Sequence, residues 1–204
     1  MGMMIKLGTA AIAATIGLAA SLTQANADYM PTGNRTTQPV GHYDFCKQLP
    51  DECRKQPGAG QKPIELTRSL WSLMIEINNQ VNAEIVPLTD MEIWGVEERW
   101  SYPVNGVGDC EDYVLEKRRR LAKHGVPRKD MLITVVRQPN GDGHAVLTIR
   151  TSMGDFVLDN LEPRILAWSE TEYSYLKRQS EKHAGVWVSI EDDRAIAVGS
   201  VDRR

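Results

Sequence analysis

Apolar periodicity changes once along this chain, near Gly125, and that change constrains the architecture more than any other feature. Before it, Leu66, Leu70, Met74, Ile77 and Val81 recur at spacings of four and three, which predicts an amphipathic helix opening at Pro63. A second helix is predicted from Asp109 to about His124. Asp109 is its N-cap, Glu111 and Asp112 fill its first turn, and Gly125 stops it. After Gly125 the pattern becomes strand-like. Residues 131–136 are β-rich, and residues 145–150 and 156–161 flank the turn Ser152-Met153-Gly154-Asp155 as a hairpin. Residues 186–190 and 195–198 read as two last strands joined by Glu191-Asp192-Asp193, whereas the polar stretch 168–182 reads as helical. Helices followed by a mostly antiparallel sheet make an α+β domain.

A chain of 204 residues is enough for one domain and short for two. Its 24 Lys and Arg against 27 Asp and Glu give a net charge of -3, which argues against a nucleic-acid partner. The Lys117–Arg120 run therefore reads as a solvated helix face. Residues 28–42 are polar, with Pro31, Gly33, Pro39 and Gly41, and read as a poorly ordered lead-in. Residues 85–108 look irregular, and their two Trp, 94 and 100, either pack on the core or wall a cleft.

The first 27 residues read as a signal peptide. Lys6 precedes an uncharged apolar run from Leu7 to Leu22, shorter than the roughly 20 residues that span a bilayer. Ala25-Asn26-Ala27 then predicts cleavage before Asp28. The expected destination is the periplasm or the exterior, where disulfides persist. Residues 28–62 form an N-terminal extension, and residues 63–204 the main domain. Cys46 and Cys53 lie seven positions apart around a Pro50-Asp51 turn and are expected to pair. The competing reading is a metal site with His42, for which a fourth ligand is missing.

That pairing leaves Cys110, the first residue of the second predicted helix. Unpaired N–H groups and the helix dipole favour a thiolate there, and the same N–H groups can receive an oxyanion. A thiolate nucleophile needs an imidazole, and the imidazole needs an orienting group. Of the four His, His144 opens a strand after Gly141-Asp142-Gly143. In a hairpin with an even loop, His144 and Asp159 project from the same sheet face. Asp159 is a carboxylate in an apolar strand, where a charge without a partner is costly.

The strings Gly-Val-Gly-Asp-Cys-Glu-Asp-Tyr at 106–113, Gly-His-Ala-Val-Leu at 143–147 and Val-Leu-Asp-Asn at 157–160 occur in that order. With Trp168, Tyr173, Arg178-Gln179-Ser180 and Trp187, they resemble the bacterial transglutaminase-like cysteine peptidase family over roughly residues 80–190. The resemblance implies a papain-like, transglutaminase-like core with the nucleophile at a helix N-terminus packed on an antiparallel sheet. It implies Cys110 as nucleophile, His144 as base and acid, and Asp159 as orienter. The well-known branch of that family is a periplasmic, calcium-dependent protease that clips large surface adhesins under an inner-membrane regulatory receptor. The resemblance thus implies calcium on Asp109 and Glu111, with Asp112 as a further ligand, carboxylate oxygens being suited to a hard cation. The alternatives are acyl transfer to an amine, as in transglutaminases and deamidases, and a non-catalytic periplasmic binding protein.

Overall fold

The computed structural model describes residues 28–194. Its elements in chain order are β1 (Thr32–Thr36), α1 (Val40–Gln48), α2 (Arg68–Glu84), β2 (Val86–Pro87), α3 (Asp90–Trp94), β3 (Val107–Gly108) and α4 (Cys110–Lys123). The strands β4 (Met131–Arg137), β5 (Gly143–Thr151), β6 (Gly154–Leu158), β7 (Leu166–Ala167), β8 (Ser174–Ser180) and β9 (His183–Ile190) follow. Seven strands form one antiparallel sheet in the order β1-β9-β8-β4-β5-β6-β7. β2 and β3 form a separate two-stranded parallel pair.

The α+β arrangement follows from the periodicity. Leu70, Met74, Ile77 and Val81 line the buried face of α2. They pack with Tyr113, Val114, Leu121, Ile133, Leu147 and Ile149 in the main core, between the helices and one face of the sheet. Alternation along β4, β5 and β6 sends Val136, Val146 and Val157 to the other face, under Trp168, Tyr175 and Met30. The start of α2 differs from the expected position. Thr67, not Pro63, caps it, its side chain accepting the Leu70 N–H at 3.1 Å. The preceding segment is extended because the Leu66 N–H bonds Ser152 Oγ at 3.0 Å in the β5–β6 turn. The C-terminal end of α4 is as predicted, with Gly125 at φ 86° in the left-handed region.

Three expectations fail for identifiable reasons. Residues 28–42 are ordered: β1 pairs with β9, the Met30 N–H bonds Asp155 Oδ2 at 3.0 Å, and Met30 is buried. Main-chain pairing to a distant strand leaves no local pattern. The polar stretch 168–182 holds β8, a strand flanked on both sides. Its inward side chains are polar and paired, Arg178 to Asp155 at 2.8 Å and Gln179 to the Ala184 carbonyl at 2.9 Å, which hides a strand behind a polar composition. The Lys117–Arg120 run is no solvated face. Lys117 and Arg118 are fully buried, and Arg118 donates to the Met131 carbonyl at 3.1 Å and to Glu52 at 3.3 Å. Their aliphatic stems cover core while the heads find internal partners or, for Lys117, lose proton affinity, its ammonium being pushed down to about 7 by burial. Trp100 belongs to the core, edge-on to His42 and Trp187. The strand expected at 195–198 and the signal peptide expected at 1–27 lie outside the described residues.

Cys46 and Cys53 are joined, with Cα atoms 5.6 Å apart, and the pair docks the α1 segment beside His42. Burial, and then the Arg118 charge, push His42 down to about 3, so it packs as a neutral ring. With its two cysteines bonded to each other, this group is not a metal site. Alkylation of denatured, unreduced mature protein is expected to add one label, at Cys110, by mass spectrometry. Three labels would contradict the disulfide.

Candidate active site

Cys110 opens α4, as predicted, and is the free cysteine of the described residues. The approach is tight. A Cβ on Gly108 would lie 2.7 Å from the Asp112 Cβ, so the chain enters the helix through a glycine. Asp109 occupies the N-cap position but its side chain makes no capping hydrogen bond. It turns instead toward Asp90 and Glu111, and carboxylate oxygens of all three lie within 4.8 Å of one another. Asp112 turns the other way and accepts the Ser101 N–H at 2.9 Å, tying the 95–103 loop to α4. Sequence reasoning therefore found Asp109 and Glu111 of the acidic group but missed Asp90. The Leu88 N–H bonds the Gly108 carbonyl at 3.1 Å, and this short parallel pairing brings residues 90 and 109 together. Two-residue strands carry no periodicity that could have announced it.

The acids are crowded, and Asp90, Glu111 and Asp112 are buried while Asp109 is half-buried. Burial raises the Asp109 and Glu111 carboxyls, and the proximity of like charges raises both further. Burial pushes Asp112 up to about 8. The Cys110 thiol donates to Glu111 Oε2 at 3.1 Å. Burial, and then that carboxylate, raise the thiol well above its ordinary value. The expected thiolate is thus opposed here, first by burial and then by the neighbouring acids. Asp90 Oδ1 and Asp109 Oδ1 are buried with no hydrogen-bond partner. Clustered carboxylate oxygens with unused lone pairs fit a divalent oxygen-seeking cation.

His144 and Asp159 meet. His144 Nε2 lies 2.8 Å from Asp159 Oδ1, and both side chains are buried. The expected shared face is correct, but the register is offset. Leu147 pairs with Leu158, so Asp159, just past the end of β6, reaches His144 along the diagonal. Burial opposes ionisation of Asp159, yet hydrogen bonds from His144 and Tyr173 hold it below the usual carboxylate range. The backbone N–H of Ala145, next to His144, faces the Cys110 sulfur. The start of β5 therefore joins the helix terminus to the His–Asp pair. Cysteine at a helix N-terminus, with a carboxylate-held imidazole on the neighbouring strand, is the arrangement of a thiol-dependent acyl-transfer enzyme.

The family model described as bacterial transglutaminase-like cysteine proteinase matches residues 32–195, and the chain belongs to that family of cysteine peptidases. No curated protein matches it. Among solved structures, calcium-bound LapG of Legionella pneumophila is similar at 24% identity and TM-score 0.50, over 74% of this chain and 81% of that one. LapG and EGTA-treated LapG, from the same organism, match at 24% identity and TM-score 0.50, over 78% of this chain and 86% of theirs. These likenesses concern the fold, which is the transglutaminase-like, papain-like core.

The carboxylates predict a pH dependence of stability. Asp112 titrates at about 8 when folded, whereas an unfolded aspartate titrates near about 4. The folded state holds the additional proton between those values, so stability is present below the window and is lost as pH rises through it. In chelator, the melting temperature is expected to fall between about pH 5 and about pH 8, and to fall less steeply in Asp112→Asn. An equal slope in the two proteins would contradict this titration.

Proposed function

We propose that this cysteine peptidase is an exported endopeptidase that cleaves a protein substrate through Cys110, His144 and Asp159, with calcium beside the nucleophile. The observation that carries the reading is the 2.8 Å His144–Asp159 pair, at the end of the strand whose Ala145 amide faces the Cys110 sulfur. In this reading His144 takes the thiol proton, and the sulfur attacks the scissile carbonyl. Backbone N–H groups at the start of α4 receive the oxyanion. Collapse of the tetrahedral intermediate breaks the C–N bond, and His144 returns its proton to the leaving amine. Water, activated by the same imidazole, then opens the thioester and regenerates the thiol. Asp159 holds the ring and balances the imidazolium charge.

Asp90, Asp109 and Glu111 would hold the calcium, whose charge would offset the carboxylates crowded around the thiol. Asp112 then acts as the anchor of the 95–103 loop through Ser101. The calcium-bound form of LapG supports the choice of cation. Cleavage before Asp28 delivers the mature chain to the periplasm. There the substrate is a large surface adhesin, and an inner-membrane receptor controls access to it.

The test is proteolysis of envelope proteins, read by mass spectrometry as new N-termini. Wild-type protein with calcium is expected to produce defined new N-termini, and Cys110→Ala none. His144→Ala is expected to lose about a hundred- to ten-thousandfold in rate. Asp159→Asn should keep the fold and lose rate, because the ring loses its orienting charge. His124→Ala, at the exposed end of α4, should behave as wild type. Excess chelator and Asp109→Ala should each abolish cleavage. A folded His144→Ala protein with wild-type turnover would overturn the triad, and full activity in chelator would overturn the calcium assignment.

A further inference from the structure

We propose that Tyr173 is a positioning residue for the His144–Asp159 pair. Its hydroxyl fixes the second oxygen of the Asp159 carboxylate, and its ring closes the pair against the hollow beside it. The inference rests on the triad reading above.

The two carboxylate oxygens have separate duties. Oδ1 faces His144 Nε2 at 2.8 Å and accepts the Leu161 N–H at 3.1 Å. Oδ2 accepts the Tyr173 hydroxyl at 2.5 Å. The terminal torsion of an aspartate is soft, so the contact with His144 alone does not fix the plane of the carboxylate. A donor on the second oxygen does, because rotation then breaks a buried, charge-assisted hydrogen bond. The ring of Tyr173 also lies against His144, with centroids 5.6 Å apart and planes inclined by 57°.

Both partners are held from behind. Asn82 Nδ2 donates to the Asp159 carbonyl at 2.8 Å, pinning the main chain of the orienter to α2. Arg194 donates to the Tyr173 carbonyl at 3.2 Å and to the Trp168 carbonyl at 3.1 Å, clamping the segment that presents the tyrosine. Tyr173 and Asp159 both line a hollow of about 380 Å³, yet Asp159 is only 2% exposed. The phenol stands where water from that hollow would otherwise solvate Oδ2.

Charged and titratable groups surround the pair from each neighbouring element. Lys117 comes from α4 and Tyr175 from β8. Glu162 and Arg164 come from the loop after Asp159, and Glu170 and Glu172 from the β7–β8 connection. Arg164 is paired with Glu162 at 2.7 Å. Tyr173 is the side chain among these neighbours that donates a hydrogen bond to Oδ2. Burial, and then the Asp159 carboxylate, raise the Tyr173 phenol, so it stays a donor throughout the working pH range.

The experiment uses the full mature chain as wild type, Tyr173→Phe and His144→Ala. Phenylalanine keeps the ring and its packing and removes only the hydroxyl. The first readout is the low-field ring N–H proton of His144, followed by NMR as pH is lowered until Asp159 protonates. The second is the rate of Cys110 alkylation by iodoacetamide at neutral pH in saturating calcium. In Tyr173→Phe the loss of the proton signal is expected about one pH unit higher, since Asp159 forfeits a hydrogen bond to its charged form. Alkylation is expected to slow about tenfold, with the circular dichroism unchanged. If His144→Ala slows alkylation but Tyr173→Phe matches wild type in both readouts, tyrosine only packs and the positioning role is overturned. If His144→Ala alkylates as fast as wild type, the triad itself fails and the positioning role falls with it.

Discussion

The buried first turn of α4 is the constraint on which the rest of the structure depends. Asp109 and Cys110 are half-buried and Glu111 and Asp112 buried, three acids around one thiol. Burying carboxylates is costly unless each finds a partner or a proton. Asp112 finds the Ser101 amide, and the 95–103 loop is thereby drawn across the helix. Asp109 and Glu111 crowd each other, Asp90 and the Cys110 thiol, and burial with like-charge proximity raises their proton affinities despite backbone N–H contacts at the helix start. A purely structural helix start would have solvated these acids, or used Asp109 as the cap its position suggests. A departure of this kind from the simpler solution is typical of functional sites.

The remaining elements hold this turn against the second half of the site. The sheet supplies the His–Asp pair from strand ends, where the backbone is fixed by pairing but the side chains reach beyond the ladder. α4 lies between α2 and β5, so its terminus cannot shift without disturbing the main core. The Glu52 carboxylate anchors Arg118 and Arg128, joining the disulfide segment to the helix and to the loop after it. The N-terminal strand adds a further brace through β9. Acyl transfer depends on placing groups to within a fraction of an ångström, and rigid elements supply that better than loops.

The sequence carries the helix-to-strand change at Gly125, the start of α4 and the disulfide in local features: spacing, caps and a turn. It carries the shared face of His144 and Asp159 through strand parity, although not their register. A turn shifts register by two without changing which face a side chain takes. What stayed hidden has a common cause, which is dependence on distant main chain. Asp90 joins the acidic group through a two-residue pairing of β2 with β3. β8 is polar because its buried side chains bond partners on β6 and β9. Lys117 and Arg118 read as surface because charge normally faces water, and only the layers around α4 reveal otherwise. Tyr173 is one of the residues that carry the family resemblance, but its hydroxyl's bond to Asp159 required the fold.

In the proposed mechanism Cys110 and His144 form a thiolate–imidazolium pair once calcium offsets the surrounding acids. Thiolates absorb in the far ultraviolet and thiols do not, so a difference spectrum of wild type against Cys110→Ala reads the pair directly. At neutral pH, calcium is predicted to raise the thiolate absorbance of wild type, and to raise it far less in His144→Ala. A wild-type spectrum that matches Cys110→Ala at saturating calcium would contradict the account.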